Sequence, residues 1–274
     1  MENFQLSLLY KINGIGATSG LVYLDNSLFI ISDSSTFLYQ YNIHEKKLNK
    51  IKLAENSQES IAKKDKADFE AITLFNNKLY LFGSGSTKKR DRRFTFDTES
   101  KEIKEKSLTK IYSRLRKTIS LAADELNIEG VIITETTIYF FQRGNGANAQ
   151  NGLFSYDKAS KAVEFTMITL PKISEVDTTF TDAVLVDETI YFLAAAENTS
   201  STYDDGEIMG SMIGTIDLKT MKLENTIQIS DKHKFEGLTL YKKSEKEIEF
   251  LLCEDNDTKE LVSNIYKLKI NGKP

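Results

Sequence analysis

"KADFEAIT", Lys66 to Thr73, places an acid one residue ahead of a small residue and a strand-like apolar run. The arrangement returns in "LNIEGVII", Leu126 to Ile133, and in "HKFEGLTL", His233 to Leu240. Aligned on the acids, five segments fall into register: "ATSGLVYLDNSLFIISDSS", "ADFEAITLFNNKLYLFGSGS", "LNIEGVIITETTIYFFQRGN", "TFTDAVLVDETIYFLAAAEN" and "KFEGLTLYKKSEKEIEFLLCEDND". Their anchors, Ser19, Glu70, Glu129, Asp182 and Glu236, lie roughly fifty to sixty residues apart, near the ~40–50 of a propeller blade with enlarged loops.

Each unit repeats one pattern. An apolar strand leads through a polar turn ("DNS", "NNK" or "DET") to a second apolar strand. Asn and Asp tolerate the positive φ that such tight turns need. A variable loop precedes a third strand of period-two alternation, such as "FLYQYNI", "RRFTFDT" or "GLFSYDK", and a fourth follows, such as "LNKIKL". Four antiparallel strands in each of five units predict an all-β, five-bladed β-propeller occupying residues 1–274 as one domain. The last unit ends at "NIYKLKINGKP" without a fourth strand, while "FQLSLLYKI" at the start belongs to no unit. The N-terminal strand is therefore expected to complete the last blade, leaving no open sheet edge between the first and last blades. "LTKIYSRLRKTISLAADE" carries Ile111, Leu115 and Ile119 at intervals of four. That spacing predicts one short helix, inserted between blades two and three over one end of the ring.

Composition excludes several classes. The chain has 274 residues, 28% charged and 40% hydrophobic, with a net charge of -4. These values suit an ordinary globular protein. "KKRDRR", Lys88 to Arg93, is short and interrupted by Asp91, so it reads as a solvated loop tip and no nucleic-acid partner is expected. No segment approaches the ~18 apolar residues of a membrane span, and the first residues lack a secretory signal pattern; a cytoplasmic location is expected. Cys253 is the one cysteine, so no intrachain disulfide forms, and "FLLCE" makes it a buried hydrophobe. His44 and His233 flank polar, turn-like residues and read as exposed loop positions.

In a propeller the first strand of each blade lines the central channel. A residue repeated at the start of that strand forms a ring near one mouth. Glu70, Glu129, Asp182 and Glu236 would make four-fifths of it, with Ser19 completing it, and the small residues Gly20, Ala71, Gly130, Ala183 and Gly237 would relieve crowding at the axis. Converging carboxylates repel one another. They can bind a hard cation, for which Ca²⁺ with six to eight oxygen ligands is the natural choice; they can pair with Arg and Lys; or they can accept backbone N–H bonds between blades.

The strings "DFEA" (Asp68 to Ala71), "GSGS" (Gly83 to Ser86), "LNIEG" (Leu126 to Gly130), "QRGN" (Gln142 to Asn145), "AAAE" (Ala194 to Glu197) and "EGL" (Glu236 to Leu238) span most of the chain. On these the sequence resembles a group of bacterial propeller proteins of unassigned function, which implies the fold and no activity. Its acid-Gly strand starts are also similar to those of phytase-like esterase propellers and calcium-activated nucleotidases. That similarity implies hydrolases holding calcium in the channel.

The ends of the second strands differ by blade: Asp33, Ser84 and Ser86, Arg143, Glu197, then Asp255 and Asp257. Carboxylates, hydroxyls and one arginine are what an asymmetric polar site needs. "FGSGSTKKR" offers backbone N–H groups and a cation to an anion, and Arg143 offers a bidentate clamp. "ENTSSTYDDGEIMGS" gathers Glu197, Asp204, Asp205 and Glu207 without the spacing of an EF-hand. The expectation is a Ca²⁺-dependent hydrolase of a small phosphorylated or ester compound. Glu70, Glu129, Asp182 and Glu236 would hold the metal; Glu70, Glu129 and Arg143 would act in catalysis; Ser84, Ser86, Arg143 and Glu197 would bind a small anionic ligand. The alternative is a non-catalytic propeller that binds a ligand or protein and uses its channel acids structurally.

Overall fold

Among the described residues, twenty strands form five four-stranded antiparallel sheets. The computed structural model describes residues 4–199, 206–255 and 260–271. Blade 1 runs β2 (Thr18–Leu24), β3 (Ser27–Ser32), β4 (Phe37–Asn42), β5 (Lys47–Lys52). Blade 2 runs β6 (Phe69–Phe75), β7 (Lys78–Gly83), β8 (Arg92–Asp97), β9 (Ile103–Ser107). Blade 3 is β10 (Ile128–Ile133), β11 (Thr137–Gln142), β12 (Gly152–Asp157), β13 (Val163–Met167). Blade 4 is β14 (Thr178–Val186), β15 (Thr189–Asn198), β16 (Glu207–Asp217), β17 (Leu223–Ser230). Blade 5 is β18 (Phe235–Lys243), β19 (Glu247–Glu254) and β20 (Val262–Asn271), and its outer strand is β1 (Phe4–Asn13), paired antiparallel with β20. The N-terminal strand thus completes the last blade, as the unassigned strand at the start of the sequence requires.

The five first strands pack side by side in a closed cycle, β2 on β6, β6 on β10, β10 on β14, β14 on β18 and β18 on β2. The ring is the five-bladed propeller that the repeat predicts. Buried apolar side chains fill the spaces between blades. Phe141, Phe180 and Phe192 pack between blades 3 and 4, and Phe250, Leu252 and Tyr191 between blades 4 and 5. Edge-on aromatic pairs such as Phe180 with Phe192 recur in these layers. The two-residue turns take the positive φ expected of them at Asp25, Asn26, Asn76 and Asn77.

The helix α1 (Thr109–Thr118) lies between blades 2 and 3 in sequence and packs on the layer between them. Its inward face differs from the expected one. Tyr112 and Leu115 are fully buried, with Ile111 and Ile119 half-buried at the sides. The Tyr112 hydroxyl donates to Gly83 O at 2.8 Å, which seats the helix on the end of β7. Cys253 is buried, as its apolar run indicates. His233 is not an exposed loop residue: its ring stacks against Phe235 and Tyr266, and Nδ1 contacts Glu254 Oε1. No described helix is long and apolar enough to cross a membrane.

Candidate functional site

Every first strand carries a β-bulge near its start. The register skips one residue between Thr18 and Gly20, Phe69 and Ala71, Ile128 and Gly130, Phe180 and Asp182, and Phe235 and Gly237. A bulge leaves its extra residue out of the ladder and re-aims that side chain. The five re-aimed residues are Ser19, Glu70, Glu129, Thr181 and Glu236. Asp182 is therefore not the equivalent of Glu236, and the expected ring is corrected by one residue in blade 4. Asp182 pairs with Leu193 as Gly237 pairs with Cys253, and occupies the position of the small residues.

The two hydroxyls and the three acids behave differently. Ser19 Oγ donates to Phe69 O at 2.5 Å and Thr181 Oγ1 to Phe235 O at 2.6 Å, each tying its blade to the next. Asp182 does the same with its carboxylate: Oδ1 accepts from Ala183 N and Oδ2 from Leu238 N, both at 2.7 Å. Both of its oxygens face amide protons of inner strands. Glu70, Glu129 and Glu236 instead enter two charged clusters at the same end of the channel.

The first cluster belongs to blades 1 and 2. Asp33, Asp68 and Glu70 bring one carboxylate oxygen each within 4.8 Å of one another. Lys66 Nζ contacts Asp33 and lies 3.0 Å from Asp68 Oδ1, and Arg90 lies 2.7 Å from Asp68 Oδ2. Ser84 Oγ donates to Asp68 at 2.5 Å, and Arg90 donates to Ser86 Oγ at 2.6 Å. The "GSGS" hydroxyls thus organise Asp68 and Arg90. Arg90 and Asp91 are buried, so the "KKRDRR" segment is a solvated tip only in part. Asp33 Oδ1 is a buried atom with no hydrogen-bond partner, and no hydrogen bond reaches the Glu70 carboxyl among the described residues.

The second cluster joins blades 3, 4 and 5. Arg143 reaches Glu129 Oε1 at 3.3 Å, contacts Glu197 Oε2, and donates from Nε to Thr179 Oγ1 at 3.4 Å. Asn127 donates to Glu129 Oε1 at 2.7 Å, and Gly206 N donates to Glu197 Oε1 at 2.8 Å. Lys234 lies 2.9 Å from Glu236, 3.5 Å from Glu197 and 4.0 Å from Asp255. A cavity of about 320 Å³, lined by Gly144, Thr179 and Glu197 among others, opens beside this cluster. Another of about 280 Å³ touches Lys66 between blades 1 and 2.

Seven carboxyl groups (Asp33, Asp68, Glu70, Glu129, Glu197, Glu236, Asp255) meet four cations (Lys66, Arg90, Arg143, Lys234) in these two clusters. The excess shows in proton affinity. Burial, then the charges of Asp68 and Glu129, push Glu70 well above the usual carboxylate range. Burial raises Glu129 to about 7 against the pull of Arg143, and raises Glu236 against that of Lys234. Glu197 is held below its ordinary value because Arg143 and Lys234 outweigh its own burial. Burial raises Asp182 despite its two amide bonds.

Of the residues singled out in the sequence, Asp33, Glu70, Ser84, Ser86, Glu129, Arg143, Glu197, Glu236 and Asp255 meet at this mouth. Asp204, Asp205 and Asp257 lie outside the described residues. Lys66, Asp68, Arg90, Asn127, Thr179, Thr181 and Lys234 were not singled out. A signal for most of them exists: Asp68, Asn127, Thr179 and Lys234 each precede a bulged residue by two, the spacing that returns a strand to the same face.

A family of unknown function, DUF6929, matches residues 14–270. The chain belongs to the DUF6929 family. No protein in a search of curated proteins matches it. Among solved structures, the DUF6929 chain is similar to the glutaminyl cyclase of Myxococcus xanthus at 10% identity, over 98% of this chain and 97% of that one, with a TM-score of 0.55. It is also similar to an exo-1,5-alpha-L-arabinanase from a bovine ruminal metagenomic library at 9% identity, over 95% and 97% of the two chains, with a TM-score of 0.54. At such identities the likeness of this DUF6929 propeller to either enzyme is one of fold, and fold does not fix activity.

Proposed function

We propose that the charged channel mouth is the site of a hydrolase acting on a small ester or phosphoester, assisted by a divalent cation held by Asp33, Asp68 and Glu70. The convergence of those three carboxylates within 4.8 Å carries this assignment. The orphaned Asp33 Oδ1 supports it, since a buried oxygen without a donor is stabilised by a cation. All-oxygen donors suit Ca²⁺. Glu129, Asp182 and Glu236 do not join this trio and are engaged by Arg143, by backbone amides and by Lys234 respectively; within the trio Lys66 and Arg90 pair with Asp68 and Lys66 with Asp33 Oδ2, which leaves Glu70 and Asp33 Oδ1 to meet an ion.

A hard cation at this place would supply Lewis acidity toward an acyl or phosphoryl oxygen and lower the pKa of a water. The protein's own groups do the rest. Lys66 and Arg90 fix Asp68 from two sides, so its carboxylate is held rigidly. Glu129, with a proton affinity near neutrality, suits proton transfer to and from a reacting group. Arg143 gives three of its five N–H donors to Glu129, Glu197 and Thr179 and so positions Glu129.

The test is hydrolysis of p-nitrophenyl acetate and p-nitrophenyl phosphate with Ca²⁺ or with EDTA, alongside thermal unfolding. Calcium-dependent turnover of one substrate and a calcium-dependent rise in Tm, both lost in Glu70→Gln, are expected. The pairing of Glu129, Glu197 and Glu236 with Arg143 and Lys234 also suits a binding propeller whose acids are structural. A calcium-dependent rise in Tm without turnover would favour that role, and no response to any divalent ion would remove the cation altogether.

A further inference from the structure

One cross-strand row of blade 2 runs from the axis to the rim as Ala71, Phe82, Arg93 and Lys106. The first two are fully buried in the layer between blades 2 and 3, whereas the last two are cations. Register sets Arg93 on β8 directly opposite Lys106 on β9, so both side chains stand on one face with their Cβ atoms about 4.5–5.5 Å apart. Like charges in that relation repel and weaken the sheet.

Among the described residues neither cation has an acidic partner. Arg90, Arg92, Arg114, Arg116 and Arg143 each make an ion pair or a hydrogen bond, and of the six arginines only the Arg93 guanidinium makes neither. Glu105, beside Lys106 in sequence, faces the other way and pairs with Arg92 at 3.3 Å. The ten residues of α1 include no acid. Burial lowers the proton affinity of Arg93, opposed by the Tyr80 and Tyr112 hydroxyls and by no carboxylate. The guanidinium is nevertheless oriented and reachable. Its carbon lies 4.9 Å from the centre of the Tyr80 ring and 5.9 Å from that of Phe82, a stack that fixes its plane. Nε is buried without a partner; the two terminal nitrogens also lack one but are not buried, and the residue as a whole is half-buried. Lys106 is exposed beside it.

We propose that Arg93 and Lys106 form a binding site at the outer rim of blade 2 for a dianionic phosphate group, free or carried on a small ester. The guanidinium presents a fork to two phosphate oxygens, and the ammonium adds a compact point charge. A phosphate monoester carries about −1.5 to −2 charges near neutrality, so it matches two unanswered cations where a carboxylate matches one. The site lies two strands out from the acidic mouth and does not depend on a cation held there.

Isothermal titration with inorganic phosphate and with glycerol 3-phosphate tests this, in calcium-free buffer of low salt, with acetate as the comparison. Saturable binding of one phosphate group per chain is expected, and the tighter of the two probes tells the free ion from the ester. Affinity should fall at least tenfold in Arg93→Gln and severalfold in Lys106→Gln. It should be unchanged in Glu70→Gln at the mouth and in Lys222→Gln, an exposed lysine of blade 4. Thermal unfolding verifies the fold of each variant. Lys106→Gln, on the exposed outer strand, should melt no lower than the parent without phosphate, because it removes a repulsion. No saturable heat, equal binding of acetate, an affinity unchanged in Lys106→Gln, or an equal loss in Lys222→Gln would each overturn the assignment.

Discussion

Lys234 Nζ stands 3.5 Å from Glu197 Oε2, so an ammonium from the segment entering blade 5 meets a carboxylate of the second strand of blade 4. Both side chains are about 95% buried. Removing one partner of such a pair leaves an uncompensated charge, which costs about 3–5 kcal/mol. Lys234→Met should therefore lower the free energy of unfolding by that order in urea titration. Adding Glu236→Gln should restore part of the loss.

Stability should fall as pH rises through neutrality. Glu129 titrates near 7 in the folded chain, against an ordinary value of 4.5. Between those values the folded state holds a proton that the unfolded state has released, so acid favours folding. The contribution is fully present below 4.5 and is lost as pH rises through about 7; for one group it is on the order of 3 kcal/mol. Glu70, Asp182 and Glu236 act in the same direction. Urea midpoints from pH 5 to 8 should decline in the parent and decline less in Glu129→Gln.

Asp182 and Glu70 should separate cleanly in calcium titrations. Asp182→Ala leaves the amides of Ala183 and Leu238 without acceptors and should cost about 1–3 kcal/mol. Any calcium-dependent rise in Tm should survive it. The same rise should vanish in Glu70→Gln and in Asp33→Asn, whose carboxylates belong to the convergent trio. Differential scanning calorimetry of the three variants, each with and without calcium, measures both effects.

Crowding at the axis is uneven. A Cβ at Gly130 would stand 2.9 Å from Ala183 N and 3.1 Å from Asp182 C, both backbone atoms of the next blade. A Cβ at Gly20 would have side-chain carbons of Ile31 and Ile72 as its nearest neighbours, at 3.1 Å. Gly130→Ala should cost about 1–3 kcal/mol by overpacking, and Gly20→Ala less. Chemical denaturation of the two variants decides between them.

The propeller was legible because four-strand units with the same turns recur five times, and because the start of the chain supplies the strand its end lacks. The mouth was legible in part. Matching acid to acid put Asp182 in the ring, since "TFTDAV" contains both a hydroxyl and an acid at the bulge and only strand register tells them apart. The buried cations were invisible for a different reason. Lys66 and Lys234 look like surface lysines in sequence, and Arg90 sits in a basic run; only the fold brings each against a carboxylate.

The pairing of Phe4–Asn13 with Val262–Asn271 also sets the timetable of biosynthesis. β1 has no sheet partner until β20, which follows all the other strands of the ring in sequence, has been made. Blades 1 to 4 can fold as they emerge, but the nascent ring must keep an unsatisfied edge open until β20 is made. Pairings of such sequence separation form slowly, and an open edge invites contact with neighbouring chains. The slowest step in maturation should therefore be the final latch, and it should be the step most sensitive to crowding and to chaperones.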